Sequence, residues 1–158
     1  MDTSKEKIHY IAVTGIIKNK EGKYLICKRS PNERNFPNKW CVPGGKVERK
    51  DLNHKTKNKD ANFDQWLNVF ENVLEREVLE ETGLRIKNID YVSNIAFERS
   101  DGFITFVISL CAEHSDCEVK LDNKALVDYA WVTAEEAKNY DLIDNIYEQI
   151  EKVEKMDS

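Results

Sequence analysis

The spacing of hydrophobic and polar positions changes several times along the chain, and each change predicts an element. Ile8-His9-Tyr10-Ile11-Ala12-Val13-Thr14-Gly15-Ile16-Ile17 is dense in β-branched and aliphatic residues and predicts a strand, with His9 an ordinary member of it. Asn19-Lys20-Glu21-Gly22 predicts a turn, and residues 23–29 the returning arm of a hairpin. Residues 30–39 carry Pro and Asn and read as a loop, after which Trp40-Cys41-Val42 re-enters structure with Trp40 as a packing residue. Residues 49–59 hold Arg49, Lys50, Lys55, Lys57, Lys59 and His54 with few apolar positions, the composition of a mobile solvated loop. From Asn62 the spacing becomes three and four. Phe63, Trp66, Leu67, Phe70, Val73 and Leu74 predict an amphipathic helix capped by Asp60 or Asn62, and Gly83 is placed to end it, with Leu84 as the apolar contact.

Further on, residues 88–97 and 103–112 predict two strands joined at Arg99-Ser100-Asp101-Gly102, and residues 118–121 and 129–132 two shorter ones. Thr133 with Glu136 three residues later forms a capping box. A last helix is expected over residues 142–153, with Ile143, Ile146, Tyr147 and Ile150 on one face. Strand, hairpin, helix, strands, helix is the order of an α+β or mixed α/β fold, and 158 residues make one domain, 1–158.

Composition narrows the class. A hydrophobic fraction of 41% with 34% charged residues is that of a soluble protein, and no run reaches the length of a membrane span. Met1 to Lys7 are polar and mixed in charge, without the apolar core of a signal peptide, so a cytoplasmic location is expected. Cys27, Cys41, Cys111 and Cys117 contain no Cys-x-x-Cys pair and read as reduced thiols in or near the core. The formal net charge of −5 argues against a nucleic-acid partner but is compatible with a small anionic substrate held through a cation.

The candidate chemistry lies in the long predicted helix. Glu77, Glu80 and Glu81 stand at i, i+3 and i+4, which sets three carboxylates on one helical face. Such grouping weakens an isolated helix unless a cation neutralises it, and hard oxygen donors suit Mg²⁺ or Mn²⁺. Arg76 lies one turn before Glu80, while Leu74, Val78 and Leu79 are expected on the opposite, core-facing side. Upstream, Pro43-Gly44-Gly45 allows a backbone to approach another group closely.

Together these stretches resemble the signature of the Nudix hydrolases, G-x5-E-x7-R-E-U-x-E-E-x-G-U, where U is aliphatic. Gly45 matches the first glycine, and Arg76 through Leu84 match the second half throughout. Two departures stand out. The first acidic position holds Asp51, with Glu48 three residues earlier, and 24 residues (52–75) separate Asp51 from Arg76 where the signature has seven, an excess of 17. Loop lengthening costs only about 0.6 kcal/mol per doubling, so the fold tolerates it.

The resemblance implies a MutT-like α/β/α sandwich with a mixed central sheet. It also implies hydrolysis of a diphosphate linkage in a nucleoside triphosphate or nucleoside diphosphate-linked substrate, by water attack at phosphorus. It assigns the Gly44 carbonyl, Glu77, Glu80 and Glu81 to Mg²⁺, or Mn²⁺ as substitute, and gives Arg76 the task of orienting Glu77. Arg29 and Phe36 are the residues it places against the nucleotide substrate. In some relatives a loop glutamate six residues before a tryptophan like Trp131 serves as base. Ala125 occupies that place here, which leaves Asp122, Asp128 and, preferred, Glu77. A homodimer is compatible with the family, membrane and nucleic-acid partners are not expected, and the alternative role is a nucleotide-binding module that has lost hydrolysis.

Overall fold

The computed structural model describes residues 8–115 and 118–157. Met1 to Lys7 and Cys117 lie outside the described residues. Strand β1 (His9–Lys18) is the axis of a mixed seven-stranded sheet, because each part of it serves a different neighbour. Its whole length runs parallel to β6 (Ile104–His114), from His9 opposite Ile104 to Lys18 opposite Glu113. Its middle pairs antiparallel with β4 (Gly44–Lys46), Thr14 opposite Gly44 and Ala12 opposite Lys46. It meets β2 (Tyr24–Arg29) only at Lys18–Tyr24, so the predicted hairpin closes at its turn and the two arms then part. Beyond that point β2 pairs instead with β3 (Trp40–Cys41) and β7 (Leu126–Val132), while β5 (Ile86–Glu98) lines the far edge against β6.

Helix α1 (Val69–Thr82) and helix α3 (Ile146–Met156) lie on opposite faces of this sheet, with the short α2 (Ala134–Ala137) between β7 and α3. Side chains alternate along a strand, and β1 shows both contacts. A Cβ on Gly15 would fall 2.7 Å from the Leu74 side chain of α1, whereas Lys18, of the other parity, ion-pairs with Asp157 beyond α3. This is the mixed α/β fold that the order of elements predicts, with the sandwich and mixed sheet that the resemblance implies. The core joins Val13, Ile16 and Ile17 of β1, Leu25 and Ile26 of β2, Val73, Leu74 and Val78 of α1, and Ile150 and Val153 of α3. Each such fully buried aliphatic contributes roughly 1.5–3 kcal/mol.

Cys27 and Cys41 are buried opposite one another on β2 and β3, Cys111 is half-buried, and all three are free thiols. The Thr133–Glu136 capping box is formed, Glu136 N–H donating to Thr133 at 3.1 Å and Thr133 N–H to Glu136 at 2.9 Å. Trp40 packs edge-on against Tyr140.

Four expectations about the elements are corrected. Helix α1 begins at Val69, not near Asn62, because Asn68 takes φ 54° and Phe63 and Leu67 remain exposed. Residues 49–59 are not a plain solvated loop. They open with a 3-10 turn at Arg49–Asp51 and bury Asp51 and Thr56. Residues 118–121 are not a strand, since Lys120 N–H and Asp122 N–H donate instead to Thr82 and Glu81 carbonyls at the end of α1. The last helix starts at Ile146 because Leu142 and Ile143 are bound to the edge of β3 through Trp40.

Candidate active site

Helix α1 is held against β1 and β4 by Val73, Leu74 and Val78, which leaves its acidic face over the Gly44-Gly45 strand. Leu79, expected in the core, is turned outward and is exposed, 100° around the helix from Val78. The helix ends as predicted at Gly83, φ 72°, whose N–H donates to Leu79 carbonyl at 3.0 Å, and Leu84 is fully buried behind it.

Each carboxylate of the ledge has a different setting. Glu77 lies so close to Gly45 that a Cβ there would sit 2.3 Å from its carboxyl carbon. Glu81 reaches under β4 and accepts the Gly44 N–H at 3.0 Å. Glu80 is mostly exposed and shares Arg76 with Glu77, at 3.3 Å and 2.9 Å from Nη1. The other edge of the guanidinium is taken by Asp51, with Nε to Oδ1 at 2.7 Å and Nη2 to Oδ2 at 3.1 Å. Asp51 itself has no exposed surface and also accepts the Glu48 N–H at 2.7 Å. Arg76 thus spans the two halves of the motif, bound to Asp51 on one side and aligning Glu77 on the other.

Burial raises the pKa of Glu81 to about 8, against the pull of the Gly44 N–H, with the charges of Glu77 and Asp122 adding to the rise. Glu77 is raised in the same way by burial, partly offset by Arg76. For Asp51 burial acts upward too, but the Arg76 hydrogen bonds, the Glu48 N–H and the Arg76 charge outweigh it and hold the carboxyl below its usual range. Two half-buried carboxylates with one arginine between three acids leave negative charge uncompensated. That donor set, all hard oxygen, fits a divalent cation, although among the described residues no three His, Cys, Asp or Glu side chains yet converge around a single point.

A first prediction follows from the two glycines. In Gly45→Ala the atoms nearest the new methyl all belong to the end of the Glu77 side chain, so the fold is expected to survive while Glu77 is displaced and activity falls about 10–100-fold. In Gly44→Ala the methyl would lie 2.3 Å from the Val13 carbonyl oxygen, a backbone atom, and the loss is expected in thermal stability. Thermal melts and rates on both variants check the contrast.

Arg29 ends β2, with its guanidinium on the Asn35 carbonyl at 2.9 Å and on Glu33 at 3.2 Å, and its charge acts on Glu81. Phe36 lies in the following loop, half exposed at φ 52°. Asp122 stands beside the end of α1, its carboxylate accepting the Lys124 N–H at 3.1 Å and its own N–H on the Glu81 carbonyl. The role of Asp51 as the partner of Arg76 was missed by the sequence reading, although its place at the acidic position of the signature carried the signal.

The sequence profile of the NUDIX domain matches residues 8–153. The chain belongs to the Nudix family. It is 30% identical over 142 residues to the nucleoside triphosphatase NudI of Klebsiella pneumoniae, spanning 82% of this chain and 86% of that one. Among solved structures it is similar to the MutT protein of Methanosarcina mazei, with a TM-score of 0.70, 26% identity, and coverage of 98% and 99%. The Nudix domain of Shewanella oneidensis NrtR, complexed with ADP ribose, shares the fold at a TM-score of 0.73 and 15% identity, with coverage of 96% and 90%. Residues 52–68 lie between the 3-10 turn and α1. No helix among the described residues is long and apolar enough to cross a membrane.

Proposed function

We propose that this chain hydrolyses a diphosphate linkage in a nucleoside triphosphate or a nucleoside diphosphate-linked substrate, with Mg²⁺ as the cofactor and Mn²⁺ able to replace it. The observation that carries the reading is the joined set Arg76, Glu77, Glu80 and Glu81 against Gly44-Gly45, in a chain similar to a nucleoside triphosphatase. The bound cation supplies charge neutralisation for the phosphate oxygens and lowers the pKa of water. Glu77, Glu80, Glu81 and the Gly44 carbonyl are the groups that would hold it.

The remaining work falls to the protein. Arg76 fixes the orientation of the Glu77 carboxylate from 2.9 Å, and Glu77 takes the proton of the attacking water as the new P–O bond forms. The bridging P–O bond breaks and the leaving phosphate carries away the electron pair. Arg29 contributes positive charge at the substrate's phosphates, exchanging Glu33 for them, and Phe36 contributes an apolar surface for the base.

The test is a panel of nucleoside triphosphates and nucleotide conjugates incubated with Mg²⁺ or Mn²⁺, with phosphate, pyrophosphate and nucleoside monophosphate followed as products. Metal-dependent release supports the reading and names the substrate class. Tight nucleotide binding by folded protein with no product in any reaction would replace it with the binding-module role.

The raised pKa of Glu81 gives a second prediction that needs no substrate. Between the ordinary glutamate value of about 4.3 and about 8, the folded protein holds a proton that the unfolded chain has released. Stability of metal-free protein is therefore expected to fall as pH rises through that window and to level off above it. Mg²⁺ or Mn²⁺ binds the ionised form, so it should raise the melting temperature more at the top of the window than at the bottom. Thermal melts against pH, with and without metal, and with Glu81→Gln to flatten the slope, provide the check.

A further inference from the structure

The 17 residues between the 3-10 turn and α1 do more than lengthen the chain. Lys57 and Trp66 form an antiparallel bridge, Asn58 N–H donates to the Gln65 carbonyl at 2.8 Å, and Leu67 N–H donates to the Thr56 carbonyl at 2.7 Å. Lys57 also lies over the Trp66 ring at 4.8 Å and ion-pairs with Asp64. The segment therefore leaves and returns as a closed excursion, and its two ends are tied at Thr56 and Leu67.

Thr56 is the knot. It is buried, 5% exposed, in a segment whose tip residue Phe63 is 70% exposed. Its hydroxyl proton is shared between the Asp51 carbonyl at 3.1 Å and the Asn53 carbonyl at 3.2 Å, and its oxygen accepts the Asn53 N–H at 3.3 Å. Asp51, with no exposed surface, is the residue that grips the Arg76 guanidinium along its Nε edge. A chain of contacts thus runs from Leu67 through Thr56 and Asp51 to Arg76, and from Arg76 to Glu77 and Glu80.

We infer that Thr56 is a positioning residue of the active site, through which the segment 52–68 holds Asp51 against Arg76 and so sets the Glu77 carboxylate. The inference rests on the proposed hydrolase reading for its effect on rate, but the geometry it asserts can be read without turnover. Loss of the hydroxyl would leave the buried Asp51 carbonyl without its donor and let the 3-10 turn relax, and a small displacement at the catalytic group lowers the rate more than it lowers binding.

The experiment compares Thr56→Val, which keeps the shape without the hydroxyl, with Thr56→Ser, which keeps the hydroxyl. Exchange of the Arg76 Nε–H with solvent is followed by NMR, alongside kcat and KM on the substrate found in the panel. Thr56→Val is expected to speed that exchange at least about tenfold and to lower kcat about 10–100-fold with KM nearly unchanged, and Thr56→Ser to restore both. Unchanged Nε–H exchange in folded Thr56→Val overturns the inference, as does a loss that Thr56→Ser fails to recover. If wild type turns over nothing, the hydrolase reading has failed, and the exchange result still decides the geometry. Where Thr56→Val does not fold, wild-type exchange replaces it. Similar protection of the Leu67 N–H and the Arg76 Nε–H supports a common opening, and an unprotected Leu67 beside a protected Arg76 refutes it.

Discussion

Replacing Glu81 by Gln is expected to lower kcat by about a thousandfold while leaving the metal-free protein at least as stable as wild type near pH 8. The two effects have one cause. Glu81 is a carboxylate forced under β4, where burial lifts its pKa to about 8, so its ionised form opposes folding. Gln keeps an oxygen for the Gly44 N–H, now at 3.0 Å from Glu81, and removes the charge. A residue placed for packing would lose stability when altered; a residue retained for binding a cation loses function instead. Glu77→Gln should show the same loss of rate with less change in stability, because Arg76 already compensates part of its charge. Glu80→Gln should be milder, since its side chain is 55% exposed. Product release measured beside metal-free melts separates these cases. Activity within threefold of wild type in Glu81→Gln would remove that carboxylate from the reaction.

The shared face of the three glutamates was legible in the sequence from spacing alone, whereas its reading as a metal ledge needed Pro43-Gly44-Gly45 and the resemblance to the Nudix signature. Carboxylates at i, i+3 and i+4 share a face on any helix, and Gly83 ends the helix with the positive φ that glycine accepts. The β1, β2, β5 and β6 runs were legible for a related reason, as β-branched and aromatic stretches bounded by turn residues. Residues 52–68 were not. Phe63, Trp66 and Leu67 have the three-and-four spacing of a helix, but that pattern cannot register that Asn68 turns the backbone to φ 54° or that Trp66 answers Lys57 across a bridge. Residues 118–121 have strand propensity, but the open carbonyls at the end of α1 take the N–H groups of Lys120 and of the following Asp122. Asp51 looked like a shortened glutamate. Its significance comes from contact with Arg76, 25 positions away, which only the fold supplies.

Arg76→Ala is expected to cost about 3 kcal/mol of stability as well as activity, the low end for breaking a buried ion pair because Arg76 keeps 19% of its side-chain exposure. For a chain of this length that is a fall of roughly 6–12 °C in melting temperature. The cost comes mainly from the partner left behind. Asp51 has no exposed surface, and without the guanidinium the partner left to its carboxylate among the described residues is the Glu48 N–H. Arg76→Lys should recover part of the stability but little of the rate, since an ammonium cannot hold Asp51 by two hydrogen bonds and Glu77 by a third. The double variant Asp51→Leu with Arg76→Met removes both charges, and it should be more stable than Arg76→Ala yet equally inactive. The acid side gives an independent reading of the pair. Asp51 is held below its usual pKa in the fold, so its contribution is complete above about pH 3.9 and is lost as pH falls through the folded value. Asp51→Asn should therefore flatten the acid limb of stability and leave the limb governed by Glu81 in place. If Arg76→Ala melts with wild type and the acid limb is unchanged in Asp51→Asn, water rather than arginine satisfies Asp51 in solution, and the alignment of Glu77 must be sought in the contact with Gly45 alone.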